Sequence, residues 1–165
     1  MLTRNFMYIL AVEMGVGTNQ DTSTGMPASL TNIEGNAITT YLPALGTDHN
    51  ASCVFNSSNF SKAKLVIGTG NTAEKTTDYC LESKITESYD CSSLSRRYVQ
   101  SEEKDLVYIY GVITNTGDSA ITVTEVGLEM YDGYSDTGYF LMARQVLDKP
   151  VTIEPGEAKT FNVRL

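Results

Sequence analysis

The stretch Ile121–Leu128, which reads Ile-Thr-Val-Thr-Glu-Val-Gly-Leu, decides the fold class of this chain. Its residues alternate between apolar and polar, as in a strand with one buried face. The apolar side switches between Val123 and Val126, however. Because successive side chains of a strand point to opposite faces, this switch predicts a β-bulge or a change of partner sheet near Glu125.

The pattern of strands continues on both sides of this stretch. Residues 106–113 are almost continuously apolar and aromatic, which indicates a central strand, and the polar residues 114–118 form a hairpin turn before a strand over 120–131. Further strands are predicted at residues 139–147, 150–153 and 158–165, the last two separated by a proline–glycine turn. Closely spaced short strands with turn chemistry between them are typical of sandwiches. We therefore predict a mostly β protein, an antiparallel β-sandwich of jelly-roll or immunoglobulin-like type.

The first half of the chain carries weaker signals. Short strands are predicted at residues 37–42, ended by Pro43, and at 64–67, and one or two exposed strands within 85–100. Residues 15–35 are polar and show no periodicity, which predicts a long loop. We accordingly divide the chain into residues 1–36, an N-terminal arm with a long polar loop, and residues 37–165, the β-sandwich domain.

The N-terminal arm is predicted to be a short amphipathic helix or an extended segment. Leu2, Phe6, Ile9 and Leu10 lie at helical spacing and are candidate docking residues. Such apolar side chains must be covered, either by this chain's own core or by another chain. The apolar run is far shorter than the ~18 residues of a membrane span and is followed by no typical cleavage site. We expect a soluble protein with no targeting segment and no membrane partner.

Charge excludes one class of partner. The 165 residues carry a formal net charge of −8, and an acidic chain repels the phosphates of nucleic acids and anionic lipids. Nucleic acid is therefore not an expected partner.

The cysteines predict neither a disulfide framework nor a zinc site. There are three, Cys53, Cys80 and Cys91, and His49 is the only histidine. An odd number cannot pair completely, and the spacing matches no zinc motif. We expect three reduced thiols, with a single Cys80–Cys91 disulfide as the alternative.

The remaining polar and glycine-rich motifs predict no chemistry. No motif surrounds His49 and Cys53 that would make them a catalytic dyad. Gly68-Thr69-Gly70 follows a strand, as a nucleotide-binding loop does, but no helical pattern follows it, so a tight turn is predicted. Residues 132–136 resemble a calcium loop without its closing glutamate. We expect no enzyme, no cofactor and no metal.

Two candidate sites remain. Glu125 is a carboxylate within a strand, and Arg144 is an arginine within the apolar stretch Leu-Met-Ala-Arg. They predict a buried or half-buried ion pair that fixes the register of two strands, with a contact at an interface as the alternative. Tyr131, Tyr134 and Tyr139 surround the turn between two strands and form a candidate binding surface, with packing at the rim of the sandwich as the alternative.

Four stretches resemble a group of small tailed-bacteriophage virion proteins. They are Met1–Phe6, Val66–Gly70 with Asp78–Glu82, Ile121–Leu128, and Leu141–Leu147 continuing through Pro150–Glu157. The resemblance implies a virion part made in the host bacterial cytoplasm, with other virion proteins as partners and without catalytic residues. We expect a capsid or tail accessory (decoration) component that acts by self-association and docking. Because such particles are symmetric, a homo-oligomer is expected. The alternative is a carbohydrate- or receptor-binding module of a phage fibre, with a host-surface glycan as partner.

Overall fold

The structure, a computed structural model, describes residues 1–7, 26–42, 63–92, 94–100, 105–131 and 138–165. These residues contain nine β-strands, all paired antiparallel, and one helical turn at residues 4–7. The strands are β1 (Met26–Thr31), β2 (Ala37–Leu42), β3 (Lys64–Gly68), β4 (Tyr89–Cys91), β5 (Ser95–Gln100), β6 (Asp105–Asn115), β7 (Ile121–Tyr131), β8 (Tyr139–Ile153) and β9 (Ala158–Arg164). No helix in this part of the chain is long and apolar enough to cross a membrane.

The strands form a hairpin and two larger sheets. The hairpin is β1–β2, and one sheet has the order β3-β7-β8. In the other sheet, β4 and β5 lie along the same edge of β6, and β9 pairs with its opposite edge. The two larger sheets pack against each other, which confirms the predicted mostly β, antiparallel sandwich.

The core lies between the two sheets. In β9, Phe161 and Val163 are buried while Thr160 and Asn162 are exposed, which is the alternation that the sequence predicts. Burial of each such aliphatic or aromatic side chain stabilises the fold by about 1.5–3 kcal/mol. The main core also includes Leu65, Ile67, Ile109, Ile113, Val123, Val126, Leu128, Met142 and Ile153.

The predicted change of side in β7 is confirmed as a bulge. The register between β7 and β8 shifts between Val123 and Glu125, so that Val123 and Val126 both point into the core. Glu125 therefore lies on the outer face of the sheet. A second shift falls between Leu128 and Glu129.

Two sequence predictions are wrong in detail. The strands predicted at 139–147 and 150–153 form one strand, β8. Residues 147–150 have no pairing partner on β7. Pro150 can therefore lie within the strand, since no ladder hydrogen bond is needed from it there. The loop predicted at 15–35 contains β1, which pairs residue by residue with β2. The boundary drawn between residues 36 and 37 thus divides a hairpin. β1 contains Pro27 and Ala28, residue types that are depleted in strands, so its pairing with β2 accounts for the strand better than its own propensity does.

The first residues dock on the sandwich of their own chain. Leu2 bridges Ala143 of β8, and Phe6 is buried in the core. Both predicted conformations occur, since residues 1–3 are extended and residues 4–7 form a helical turn. The other two candidate docking residues, Ile9 and Leu10, lie outside the described residues.

Candidate functional site

Glu125 is a fully buried carboxylate on the outer face of β7. Residues 69–84, which we call the covering loop, lie over this face. Oε1 of Glu125 accepts hydrogen bonds from the backbone N–H of Gly70 (3.1 Å) and Ser83 (2.8 Å), and Oε2 accepts one from the N–H of Glu82 (3.2 Å). One side chain of the sheet thus satisfies three backbone donors of the loop.

Arg144 completes the arrangement from the neighbouring strand. It pairs with Gly127 in the ladder, which makes it the diagonal neighbour of Glu125. Its Nε donates to Glu125 Oε2 at 2.7 Å, its Nη1 to Asp78 Oδ2 at 2.9 Å, and its Nη2 lies 3.5 Å from Glu82 Oε2. The sequence pair Glu125–Arg144 is therefore an ion pair, extended by two carboxylates of the covering loop. We call these four residues the Glu125 network.

The guanidinium is held in its charged form. Burial disfavours the charge, but the hydrogen bonds and the charges of Glu125 and Asp78 outweigh burial and raise the pKa of Arg144 above its ordinary value. Three carboxylates surround one cation, so the network carries a formal charge of about −2 when all four groups are ionised. The remaining compensation comes from backbone N–H groups of the loop.

Glu82 fixes the start of the covering loop. Its Oε2 accepts hydrogen bonds from the N–H of Asn71 and from both the N–H and the hydroxyl of Thr72, each at 2.9 Å. These bonds, the Thr72 bonds foremost, favour the carboxylate and lower the pKa of Glu82 below its ordinary value. Asp78 is held in the same way by the N–H of Lys75.

Replacement of Glu82 by glutamine is expected to reduce the loss of stability that occurs as the pH falls. Because the folded state lowers the pKa of Glu82, its contribution is present above the unfolded pKa, about 4.3, and is lost as the pH falls through the folded value. Between about pH 5 and pH 3, the urea midpoint of Glu82→Gln should fall less than that of the unmodified chain. The matched control is Glu87→Gln, a change at an exposed glutamate just after the loop. Equal slopes in all three proteins would contradict the role of Glu82.

Glu125 explains the two glycines of Gly68-Thr69-Gly70. A Cβ on Gly68 would lie 2.5 Å from Glu125 Oε1, and a Cβ on Gly70 would lie 2.6 Å from the same oxygen. Real Cβ atoms do not approach so closely, so glycine is required at both positions. The N–H of Gly70 binds an anion, as in a nucleotide-binding loop, but that anion is the protein's own carboxylate. The predicted tight turn is wrong, because Gly68 ends β3 and the chain stays paired with residues 83–85 through Gly68 and Thr69.

A second buried carboxylate, Glu129, was not predicted from the sequence. Lys84 Nζ lies 2.7 and 2.8 Å from its two oxygens, and Lys64 Nζ lies 3.6 Å from it. Lys84 ends the covering loop and bridges to Gly68. The loop is therefore attached to β7 at two places by buried charge.

The tyrosines that were predicted as a binding surface lie partly within the described residues. Tyr131 and Tyr139 are ladder partners whose rings meet edge to face, with centroids 5.2 Å apart. Lys64 Nζ lies 3.8 Å from the centroid of Tyr139, a cation–π contact. Both rings are half-buried. Tyr134 lies outside the described residues.

The cysteines supply no reactive thiol among the described residues. Cys80 and Cys91 are free, so the alternative disulfide between them is not formed. Burial raises the pKa of both thiols, which keeps them protonated and weakly nucleophilic at neutral pH. Cys53 and His49, like the calcium-like residues 132–136, lie outside the described part.

The geometry of the Glu125 network fits a structural role, in which it holds the covering loop on the sheet, better than a catalytic role. Glu125 has no solvent-exposed surface, so a substrate cannot reach its carboxylate. Three or more histidine, cysteine or carboxylate side chains grouped as a metal site do not occur in the described residues. No protein family, no curated protein and no solved structure was found to match this chain.

Proposed function

We propose that this chain is an architectural component of a bacteriophage virion, a capsid or tail accessory protein that acts by self-association and docking. No chemical step is part of this proposal. Its direct basis is the resemblance of four stretches to small virion proteins. What the structure adds in support is that these stretches, although far apart in the chain, converge on one structural unit.

That convergence is the observation that carries the proposal. Residues 1–3 hydrogen-bond to residues 141–144 of β8. Val66–Gly70 lies beside β7, and Asp78–Glu82 supplies two carboxylates to Arg144. The stretches Ile121–Leu128 and Leu141–Leu147 contribute Glu125 and Arg144. The resembling residues therefore build and hold a sheet with its covering loop, as expected of a scaffold rather than of a catalytic centre.

The alternative, a carbohydrate- or receptor-binding module, has narrower support. The neighbouring rings of Tyr131 and Tyr139 offer aromatic surface of the kind that binding sites use. However, Tyr139 already contacts both Tyr131 and the ammonium group of Lys64. Packing of these rings within the rim accounts for them without a ligand.

Copy number in purified particles tests the proposal. Particles are banded on a density gradient from a lysate of bacteria that make this chain, and the chain is quantified by mass spectrometry against the other particle proteins. We expect it to band with intact particles in a fixed ratio that matches a symmetry element of the particle. A chain that remains wholly in the soluble fraction would overturn the proposal.

A further inference from the structure

We infer that residues 1–7, called here the docking segment, form an exchangeable strand that binds the β8 edge of a second copy of this chain. This inference rests on the proposed self-association and names its mechanism. The structure shows the segment docked on its own chain, which defines the receiving site completely. The same site on a neighbouring copy offers the same contacts.

The receiving site is the edge of β8 opposite β7. The N–H of Thr3 donates to the carbonyl oxygen of Met142, and the N–H of Arg144 donates to that of Met1, both at 3.0 Å. The Thr3 hydroxyl donates to the carbonyl oxygen of Leu141 at 2.6 Å. An exposed strand edge readily accepts an added strand through such main-chain bonds.

Side chains of the docking segment supply specificity. Asn5 binds the backbone of Thr31 in both directions, through Nδ2 to the carbonyl oxygen at 2.7 Å and through Oδ1 from the N–H at 2.9 Å. Thr3 is fully buried, and Phe6 packs in the core. Main-chain bonds hold any strand, whereas these three side chains require one register and one sequence.

The docking segment is a separable part of the fold. Within the segment, the N–H groups of Phe6 and Met7 donate to Thr3. Its hydrogen bonds to the rest of the described chain reach residues 31, 76 and 141–144, all distant in sequence. A segment held by distant residues can make the same contacts with another copy, which is the condition for domain swapping.

The connection to β1 is long enough for exchange between copies. Eighteen residues, 8–25, join the docking segment to β1, and a chain of that length spans up to about 60 Å. Each copy carries a net charge of −8, so two copies repel, and the contacts of the docking segment must outweigh that repulsion.

Disulfide trapping between two variants tests the inference. Both carry alanine at all three native cysteine positions; one adds Leu2→Cys and the other adds Ala143→Cys, at positions that are bridge partners. They are mixed in urea, refolded together at high protein concentration and oxidised. We expect a disulfide-linked species of two 18.0 kDa chains on a non-reducing gel. In the control mixture, Asp118→Cys, in an exposed turn, replaces Ala143→Cys, and this species should be lost.

The outcomes separate the inference from the proposed function. A chain carrying both Leu2→Cys and Ala143→Cys that closes only within itself, with no linked pair in the mixture, overturns strand exchange. If the chain nevertheless bands with particles, the proposed function stands and another surface joins the copies. The peptide of residues 1–7 provides a second test, since it should bind a variant lacking those residues and should lose binding when Asn5 and Phe6 are alanine. A variant that stays folded and ignores the peptide also overturns the inference.

Discussion

Replacement of Arg144 by methionine is expected to lower the free energy of unfolding by about 3–5 kcal/mol. The change removes the cation that, among the described residues, pairs with Glu125, a carboxylate with no exposed surface. Asp78 and Glu82 lose the same partner. An unpaired charge that stays buried is far more costly than the loss of an exposed ion pair, which typically costs under about 1 kcal/mol.

Urea denaturation of matched variants measures this effect. Arg97→Met removes an exposed arginine from β5 and should change the free energy of unfolding by less than about 0.5 kcal/mol. Arg144→Lys keeps the charge but not the planar fork of donors, so one ammonium group cannot serve three carboxylates in the same geometry. It should therefore fall between the unmodified chain and Arg144→Met.

A double-mutant cycle with Glu125→Gln separates the ion pair from simple loss of packing. Once Arg144 is methionine, neutralisation of Glu125 removes the buried unpaired charge. The double variant should therefore be more stable than the sum of the two single changes by about 1–3 kcal/mol. Additive effects, or an Arg144→Met variant within about 1 kcal/mol of the unmodified chain, would mean that the Glu125 network does not stabilise the fold.

The sequence predicts half of this network for a definite physical reason. Glu125 lies at a change of side in a strand, and Arg144 lies within an apolar stretch. Each charge needs a partner of opposite sign if it is buried. The pairing of β7 with β8 places the two side chains next to each other. Asp78 and Glu82 gave no such signal, because the turn-like residues around them resemble an ordinary solvated loop. Asp78 is 66 positions from Arg144, so only the tertiary structure shows that the loop covers the sheet.

The other differences between prediction and structure have the same physical cause. The C-terminal strands have strong alternation and clear turns, so local sequence decides them. β1 and the Lys84–Glu129 pair depend on partners elsewhere in the chain, and neither has a local pattern. The sequence predicts a tight turn at Gly68 and Gly70, whereas in the structure Gly68 ends β3 and both glycines lie against a buried carboxylate, which their spacing does not predict.

Replacement of Gly68 by alanine is the second change with a large expected effect, a loss of about 3 kcal/mol. The new Cβ would lie 2.5 Å from Glu125 Oε1 and 2.6 Å from the carbonyl oxygen of Ser83. The carboxylate cannot move aside, because Arg144 and three backbone N–H groups hold it. The covering loop must therefore lift, which breaks the hydrogen bonds to Glu125.

Gly156→Ala is the matched control for backbone effects. Gly156 has a φ of +75° and nothing within 4 Å of its hypothetical Cβ, so alanine there should cost only the conformational penalty of about 1–2 kcal/mol. A larger loss at Gly68, whose φ is not positive, must then come from steric contact. Comparison of the two urea midpoints at unchanged m-value makes this distinction.

Amide hydrogen exchange identifies where the strain from Gly68→Ala is released. The N–H groups of Gly70 and Ser83 donate to Glu125 and should exchange slowly in the unmodified chain. In Gly68→Ala they should exchange much faster. The exchange rates of amides in the β6–β9 pair should change only as much as the change in global stability requires. Gly156→Ala should leave the Gly70 and Ser83 amides protected. If Gly68→Ala preserves both their protection and the urea midpoint, the covering loop has room for a methyl group, and the close approach to Glu125 is not the reason for glycine at position 68.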